Sequence, residues 1–111
     1  MRNKPARPAE LPIPASAKRD RKAREMIRAW IAEGDLWCTI NVGTWAGVDF
    51  VDESTAWGIL LSDVAHHVAN ALHEEHEVPK QETLNQIRLA WDREFEGPTS
   101  GHNGQYAGDD E

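Results

Sequence analysis

The sequence contains a single cysteine, Cys38, among its 111 residues. One thiol cannot close a disulfide within the chain, and it does not provide the paired spacing of a zinc site. No window approaches the roughly 18 uninterrupted apolar residues of a membrane-spanning helix, and the first residues lack the apolar run of a secretory signal. We therefore expect a cytoplasmic protein that makes no contact with a membrane.

The sequence also lacks the common catalytic and nucleotide-binding motifs. It has no GxSxG elbow, no Walker loop, no GxGxxG turn and no CxxC pair. Cys38 is in phase with the apolar residues Leu36, Ile40 and Val42, which is typical of a core cysteine and not of a reactive thiolate. The sequence thus predicts neither an enzyme nor a bound cofactor.

Apolar residues make up 40% of the chain and charged residues 28%, as in ordinary globular domains, and the length allows one domain. Residues 1–15 contain four prolines and predict a disordered arm. Residues 98–111 are rich in glycine and end in three acids, which predicts a disordered acidic tail. A single domain is therefore predicted over residues 16–97.

The spacing of apolar residues predicts a helix between Ser16 and Gly34, in which the residues on one face are Ala23, Met26, Ile27, Trp30 and Ile31. The next segment alternates in polarity, with Leu36, Cys38, Ile40 and Val42 on one side, and this predicts a half-buried strand. A turn at Ala46 and Gly47 could return the chain as a second strand through Val51. Without that hairpin, the strand would have to pair with another subunit.

Two further helices are predicted. The longer begins at Asp52 or Ser54 and ends near Glu77, with a broad apolar stripe along one side. The other begins at Pro79 and ends before Gly97 and Pro98. The predicted fold is α+β: an N-terminal helix, one strand or a short β-hairpin, and two antiparallel helices packed on one face of a small sheet.

The segments AWGILLSDVAHHVANAL and IRLAWDREFEGPT together resemble a family of small bacterial proteins known only as a domain of unknown function. The resemblance covers most of residues 10–99. The most distinctive features are Trp57-Gly58 at the start of the long helix and Pro98-Thr99 after the last one. It implies no reaction, ligand or catalytic residue.

Two features indicate a surface for a protein partner. Trp37 points away from the apolar side of the strand and Trp45 lies in a turn, so both could remain on the surface. The long helix also has a line of small residues that would let another helix approach closely: Gly58, Ser62, Ala65 and Ala69. The alternative for this line is a flank of the ordinary core interface. We predict a homodimer that docks an unknown protein partner, without catalytic activity.

A nucleic-acid-binding regulator is the first alternative. Residues 1–28 carry nine lysines and arginines against three acids, whereas residues 29–111 carry three against sixteen. A candidate anion site on the first helix is formed by Lys18, Arg21, Lys22 and Arg24. Nucleic acid is nevertheless an improbable partner, because the sequence pI is near 5.2 and the acidic body would repel it.

A small metal-binding protein is the second alternative. Asp63, His66, Asn70, His73 and Glu77 fall on one strip of the long helix, and imidazole and carboxylate groups at such spacing can chelate a metal. The candidate ligands are His66, His73 and Glu77. The strip lies opposite the apolar stripe, away from any dry pocket, so a solvated polar face is the favoured interpretation and no metal is predicted.

Overall fold

The structure, a computed structural model, describes residues 9–45, 52–99 and 101–108. The fold is α+β, as predicted, with a three-stranded mixed sheet. None of the helices in these ranges is long and apolar enough to cross a membrane. The predicted second strand between Ala46 and Val51 lies outside the described residues. In chain order the elements are α1 Ala15–Arg19, β1 Ile27–Ala32, β2 Asp35–Val42, α2 Glu53–His76, α3 Lys80–Glu96 and β3 Asn103–Gly108.

The predicted N-terminal helix is wrong over most of its length. Helix α1 has five residues, and the segment after it forms strand β1, which pairs antiparallel with β2. A two-residue turn joins the strands, with φ of 55° at Glu33 and 76° at Gly34. Positive φ at both positions is typical of the type I′ hairpin turn, whose twist matches that of the strands it joins. Gly34 therefore serves as a turn residue, whereas the sequence predicted a helix stop.

Strand β2 is the centre of the sheet, and its bounds confirm the predicted strand. On its other side β3 pairs with it in parallel, from Trp37 opposite Asn103 to Val42 opposite Gly108. Strand β3 lies within residues 98–111, so the prediction of a disordered tail is wrong for these six residues. Their composition is polar and glycine-rich because the strand is held by backbone hydrogen bonds and buries little apolar surface.

Helices α2 and α3 confirm the two predicted helices. Asp52 caps α2, since its side chain accepts a hydrogen bond from the Thr55 N–H at 2.7 Å. The helix ends at Glu77, which adopts the left-handed conformation with φ of 59° and donates its N–H to the His73 carbonyl. Three residues later α3 begins, directly after Pro79, whose fixed φ suits that position.

The two helices pack against each other and the strands pair with one another. The predicted packing of both helices on one sheet face is not found among the described elements. Within the described residues, the buried positions are Ala56, Ala69 and Thr83, all in the helical pair. Among the described elements the extensive packing is therefore helix on helix and strand on strand, and the sheet faces are the place to look for a functional surface.

Candidate interaction surface

One face of the sheet is almost wholly apolar. Side chains alternate along a strand, so the pairings of Ile31 with Leu36 and of Ile40 with Tyr106 place these residues on the same side. We call this side the apolar sheet face; it consists of Ile27, Ala29, Ile31, Leu36, Cys38, Ile40, Val42 and Tyr106. The predicted alternation of β2 supplies four of its members, and β1 and β3 supply the rest.

The apolar sheet face is partly open to solvent: Ala29, Ile31, Leu36 and Tyr106 are exposed, whereas Ile27, Cys38 and Ile40 are half-buried. Ile31 is 79% exposed and Tyr106 77% exposed, and Leu36 is also exposed. Cys38 is half-buried among these residues, which agrees with its interpretation as an apolar side chain. An apolar surface without charged side chains favours association, because packing against another apolar surface removes it from water.

The opposite face carries two tryptophans. Trp30 pairs with Trp37 across the hairpin, and Arg28 pairs with Thr39 two residues away on the same side. The Trp37 indole Nε1–H donates to the Ala32 carbonyl at 2.9 Å, while 38% of the residue remains exposed. We call this side the tryptophan face. Its indole edges are fixed by the sheet, as a contact surface for a partner requires.

Strand β3 is anchored by one side chain that the sequence analysis missed. The Asn103 Nδ2–H donates to Asp35 Oδ2 at 2.7 Å and to the Leu36 carbonyl at 3.3 Å. The next residue, Gly104, has φ of 138°, and a Cβ there would overlap the backbone carbonyl of Cys38. The Asn-Gly pair in an otherwise polar segment is the only signal that could have indicated this contact.

A second missed residue is Glu53, whose carboxylate joins the end of β2 to the start of α2. It accepts hydrogen bonds from the Gly43 N–H at 3.0 Å, the Trp45 N–H at 3.1 Å and the Trp57 indole at 2.9 Å. The Gly43 N–H is the largest of the influences that hold the pKa of Glu53 below its ordinary value. We call this arrangement the Glu53 clasp.

Trp45, predicted to lie on the surface, also makes contacts within the chain. Trp45 is half-buried, and its ring meets that of Trp57 edge to face with 5.9 Å between centroids. Both tryptophans bond to Glu53 as well. Trp45 thus belongs to the packing around the Glu53 clasp, whereas Trp37 lies on an accessible sheet face.

The line of small residues on α2 is divided between two environments. Ala69 is only 1% exposed and is buried within the chain, and Ala65 is half-buried. Gly58 and Ser62 are exposed, and a Cβ on Gly58 would meet nothing within 4 Å. Ala69 is therefore not available to a second molecule. For Ala65 and Ala69, burial agrees with the alternative of an internal interface.

The candidate anion-binding residues lie on one short exposed segment. Lys18 is in the last turn of α1, and Arg21, Lys22 and Arg24 follow before β1. Arg28, further on, is paired with Glu25 at 3.1 Å and with Glu10 at 3.0 Å. The hydrogen bond to Glu25 is the main cause that raises the pKa of Arg28. Arg28 is thus neutralised by its own chain.

The histidine strip does not converge on a site. The Nδ1 of His66 lies 2.9 Å from the Ser62 carbonyl, and that of His73 lies 3.2 Å from the Val78 carbonyl. Glu77 has left the helical conformation, so its predicted helical spacing from His73 does not hold. Across residues 9–45, 52–99 and 101–108, no three potential ligands are grouped for a metal ion.

Comparisons with known proteins give a family and a fold. A family model described as a domain of unknown function, DUF5076, matches residues 10–99. A solved structure described as "a putative pyruvate dehydrogenase from the photosynthetic bacterium Rhodopseudomonas palustrus CGA009" is 29% identical, with a TM-score of 0.61. That match covers 86% of this chain and 92% of the other. No curated protein matches the chain.

Proposed function

Because the chain belongs to the DUF5076 family, a domain of unknown function, its role must come from its own surfaces, and we propose that it is a homodimerising protein–protein interaction module. The observation that carries the proposal is the apolar sheet face, which no described helix covers. A sheet with one apolar face is stable in water when that face packs against another layer. The proposal assigns that layer to a second copy of the chain.

A second copy is favoured as the occupant for two reasons. An uncovered apolar face on which the fold depends requires a partner that is always present, and another copy of the chain meets that condition. A two-fold axis would also bring identical apolar faces together. In addition, the first 28 residues have a net charge of +6 and the remainder −13, so the basic segment of one copy complements the acidic body of the other.

The tryptophan face supports the second half of the proposal, the docking of another protein. It lies on the opposite side of the sheet, so a dimer formed through the apolar sheet face leaves Trp37 accessible. A non-catalytic role is supported by the side chains whose pKa values are shifted. In the described residues these are Arg28, Asp52, Glu53 and Glu94, and each bonds to the chain itself.

The experiment that tests the proposal is sedimentation velocity on the unmodified chain and on Ile31→Asp. Ile31 is so exposed in the single chain that a charge there would be harmless to a monomer, but it would be buried at the proposed interface. We expect twice the chain mass of 12.5 kDa for the unmodified protein, and the chain mass for Ile31→Asp.

Ile59→Asp is the matched control, because Ile59 is also an exposed isoleucine but lies on α2. This variant should retain the dimer mass. A monomeric unmodified chain at micromolar concentration would overturn the proposal. A dimer that survives Ile31→Asp would show that the apolar sheet face is not the interface.

A further inference from the structure

We propose that β3 is an exchangeable strand, and that in the dimer the β3 of each copy pairs with the β2 of the other. This inference rests on the proposed homodimer and specifies how its two copies are joined. It makes the second copy part of the sheet itself, because each three-stranded sheet then consists of β1 and β2 from one chain and β3 from the other.

The attachment of β3 is the first observation behind this inference. Strand β3 is held by its parallel ladder to β2 and by the Asn103 side chain at Asp35 and Leu36. Among the described elements its contacts are mainly with β2, and Gln105, Tyr106 and Ala107 are exposed. Every one of these bonds would be the same if the strand came from another copy, so exchange loses no contact.

The second observation is the steric and hydrogen-bonding fit between the β2 edge and the strand that pairs with it. Next to Cys38 the space excludes a Cβ, so the occupant needs glycine there, in a left-handed backbone conformation that glycine adopts readily. One residue earlier the occupant must supply an amide donor for Asp35. Asn103-Gly104 is the only Asn-Gly pair in the sequence. The segment that fits is therefore the β3 of another copy, in preference to an unrelated peptide.

The connection between α3 and β3 is compatible with exchange. Helix α3 ends at Glu96 and β3 begins at Asn103, so residues 97–102 join them. Two sheets that pack face to face lie about 10 Å apart. Six residues can span up to about 20 Å. The maximum span of this connection therefore exceeds the separation of two packed sheets.

Exchange also has a thermodynamic consequence. The contacts of β3 are the same whether it pairs within one chain or between two chains. The equilibrium between these two forms therefore depends on chain concentration and on the added contacts of the dimer interface. We expect β3 to pair within one chain at low concentration and between chains at high concentration. This distinguishes exchange from a dimer of two self-contained chains.

The test is a cross-link between two different variants. Both carry Cys38→Ala; one also carries Thr39→Cys and the other Gln105→Cys, since these exposed residues are directly opposite in the β2–β3 register. After mixing and re-equilibration, a short bifunctional thiol reagent should join a Thr39→Cys chain to a Gln105→Cys chain. Gln81→Cys replaces Gln105→Cys as the control, because Gln81 is exposed on α3, away from the sheet, and should give no such product.

A second measurement uses the unmodified chain, in case the cysteine variants do not fold. Hydrogen exchange of the amides of residues 103–108 should slow as the dimer fraction rises, and native mass spectrometry reports that fraction. A dimer without the cross-link and with concentration-independent exchange overturns strand exchange but leaves the proposed homodimer standing. A monomer at all concentrations overturns both.

Discussion

The Glu53 carboxylate accepts a hydrogen bond from the Gly43 backbone N–H at 3.0 Å. This bond joins the residue after β2 to the first turn of α2. The same carboxylate also accepts the hydrogen bonds from Trp45 and Trp57. Three N–H donors on one carboxylate favour its ionised form. The connection between the end of β2 and the start of α2 is therefore made through a charged group.

The first prediction concerns Glu53→Gln. The pKa of Glu53 is lowered from its ordinary value of 4.5, so the clasp contributes stability above that value and loses it as the pH falls through the folded-state pKa. Urea unfolding of the unmodified chain should weaken with acid over this range. Glu53→Gln should be less stable at pH 7 and show a shallower acid loss, and its tryptophan emission should shift because Trp57 loses a charged acceptor.

Glu82→Gln is the control for Glu53→Gln, because Glu82 is exposed in the first turn of α3. It should leave the acid dependence nearly unchanged. If Glu53→Gln retained the same stability and the same pH slope as the unmodified chain, the clasp would have no energetic role.

The second prediction concerns the hairpin turn. Glu33 adopts a positive φ of 55°, a conformation that costs a non-glycine residue about 1 kcal/mol and that asparagine tolerates well. Glu33→Asn should therefore raise the free energy of unfolding by about 0.5–1 kcal/mol, measured by urea titration. In the helix that the sequence predicted, the same change would lower stability, since asparagine is a poorer helix former than glutamate.

This turn shows why sequence patterns predicted one half of the fold and not the other. Strand β2 and both long helices were predicted because their periodicities are unambiguous and their caps are present. The segment 23–34 satisfies the helical spacing, but Ile27 and Ile31 also alternate in strand phase with Ala29, and short apolar segments of this kind fit both periods. The pairing with β2 decides between them, and that contact is not visible in local spacing.

The sequence also predicted only part of the candidate surface. Trp37 and the β2 half of the apolar sheet face follow from alternation within one strand, whereas the β1 half requires the hairpin. Strand β3 was missed because its hydrogen bonds come from the backbone and its anchoring side chain, Asn103, bonds to a residue 68 positions away. Glu53 was missed because a carboxylate in a helix's first turn is typical of ordinary helix capping.

The third prediction concerns the buried face of α3. Thr83 is buried, and its hydroxyl has no hydrogen-bond partner. Removing an unsatisfied buried hydroxyl while keeping the side-chain shape recovers its desolvation cost. Thr83→Val should therefore stabilise the chain by about 1 kcal/mol in urea unfolding. Thr55→Val, at an exposed position of α2 whose hydroxyl bonds to the capping Asp52, is the comparison and should lower stability. Equal effects of the two changes would contradict the burial of Thr83.

The fourth prediction concerns the anchor of β3 and introduces a second negative charge at one hydrogen bond. Asn103→Asp places two carboxylates where the Asn103 amide now donates to Asp35 Oδ2 at 2.7 Å. Losing a hydrogen bond to a charged group and adding like-charge repulsion should cost about 1–3 kcal/mol locally. Hydrogen exchange of β3 should accelerate by about tenfold or more, while α2 and α3 keep their protection because the contacts of β3 are mainly with β2.

The compensating variant makes the fourth prediction specific. Adding Asp35→Asn to Asn103→Asp restores an amide opposite a carboxylate with the roles exchanged, so β3 protection should recover. Asp35→Asn alone should be milder than Asn103→Asp, because two amides can still form a neutral hydrogen bond. If the double variant exchanged as fast as Asn103→Asp, the loss would come from the strand's own backbone preference, and the Asn103–Asp35 bond would not be what holds β3 in register.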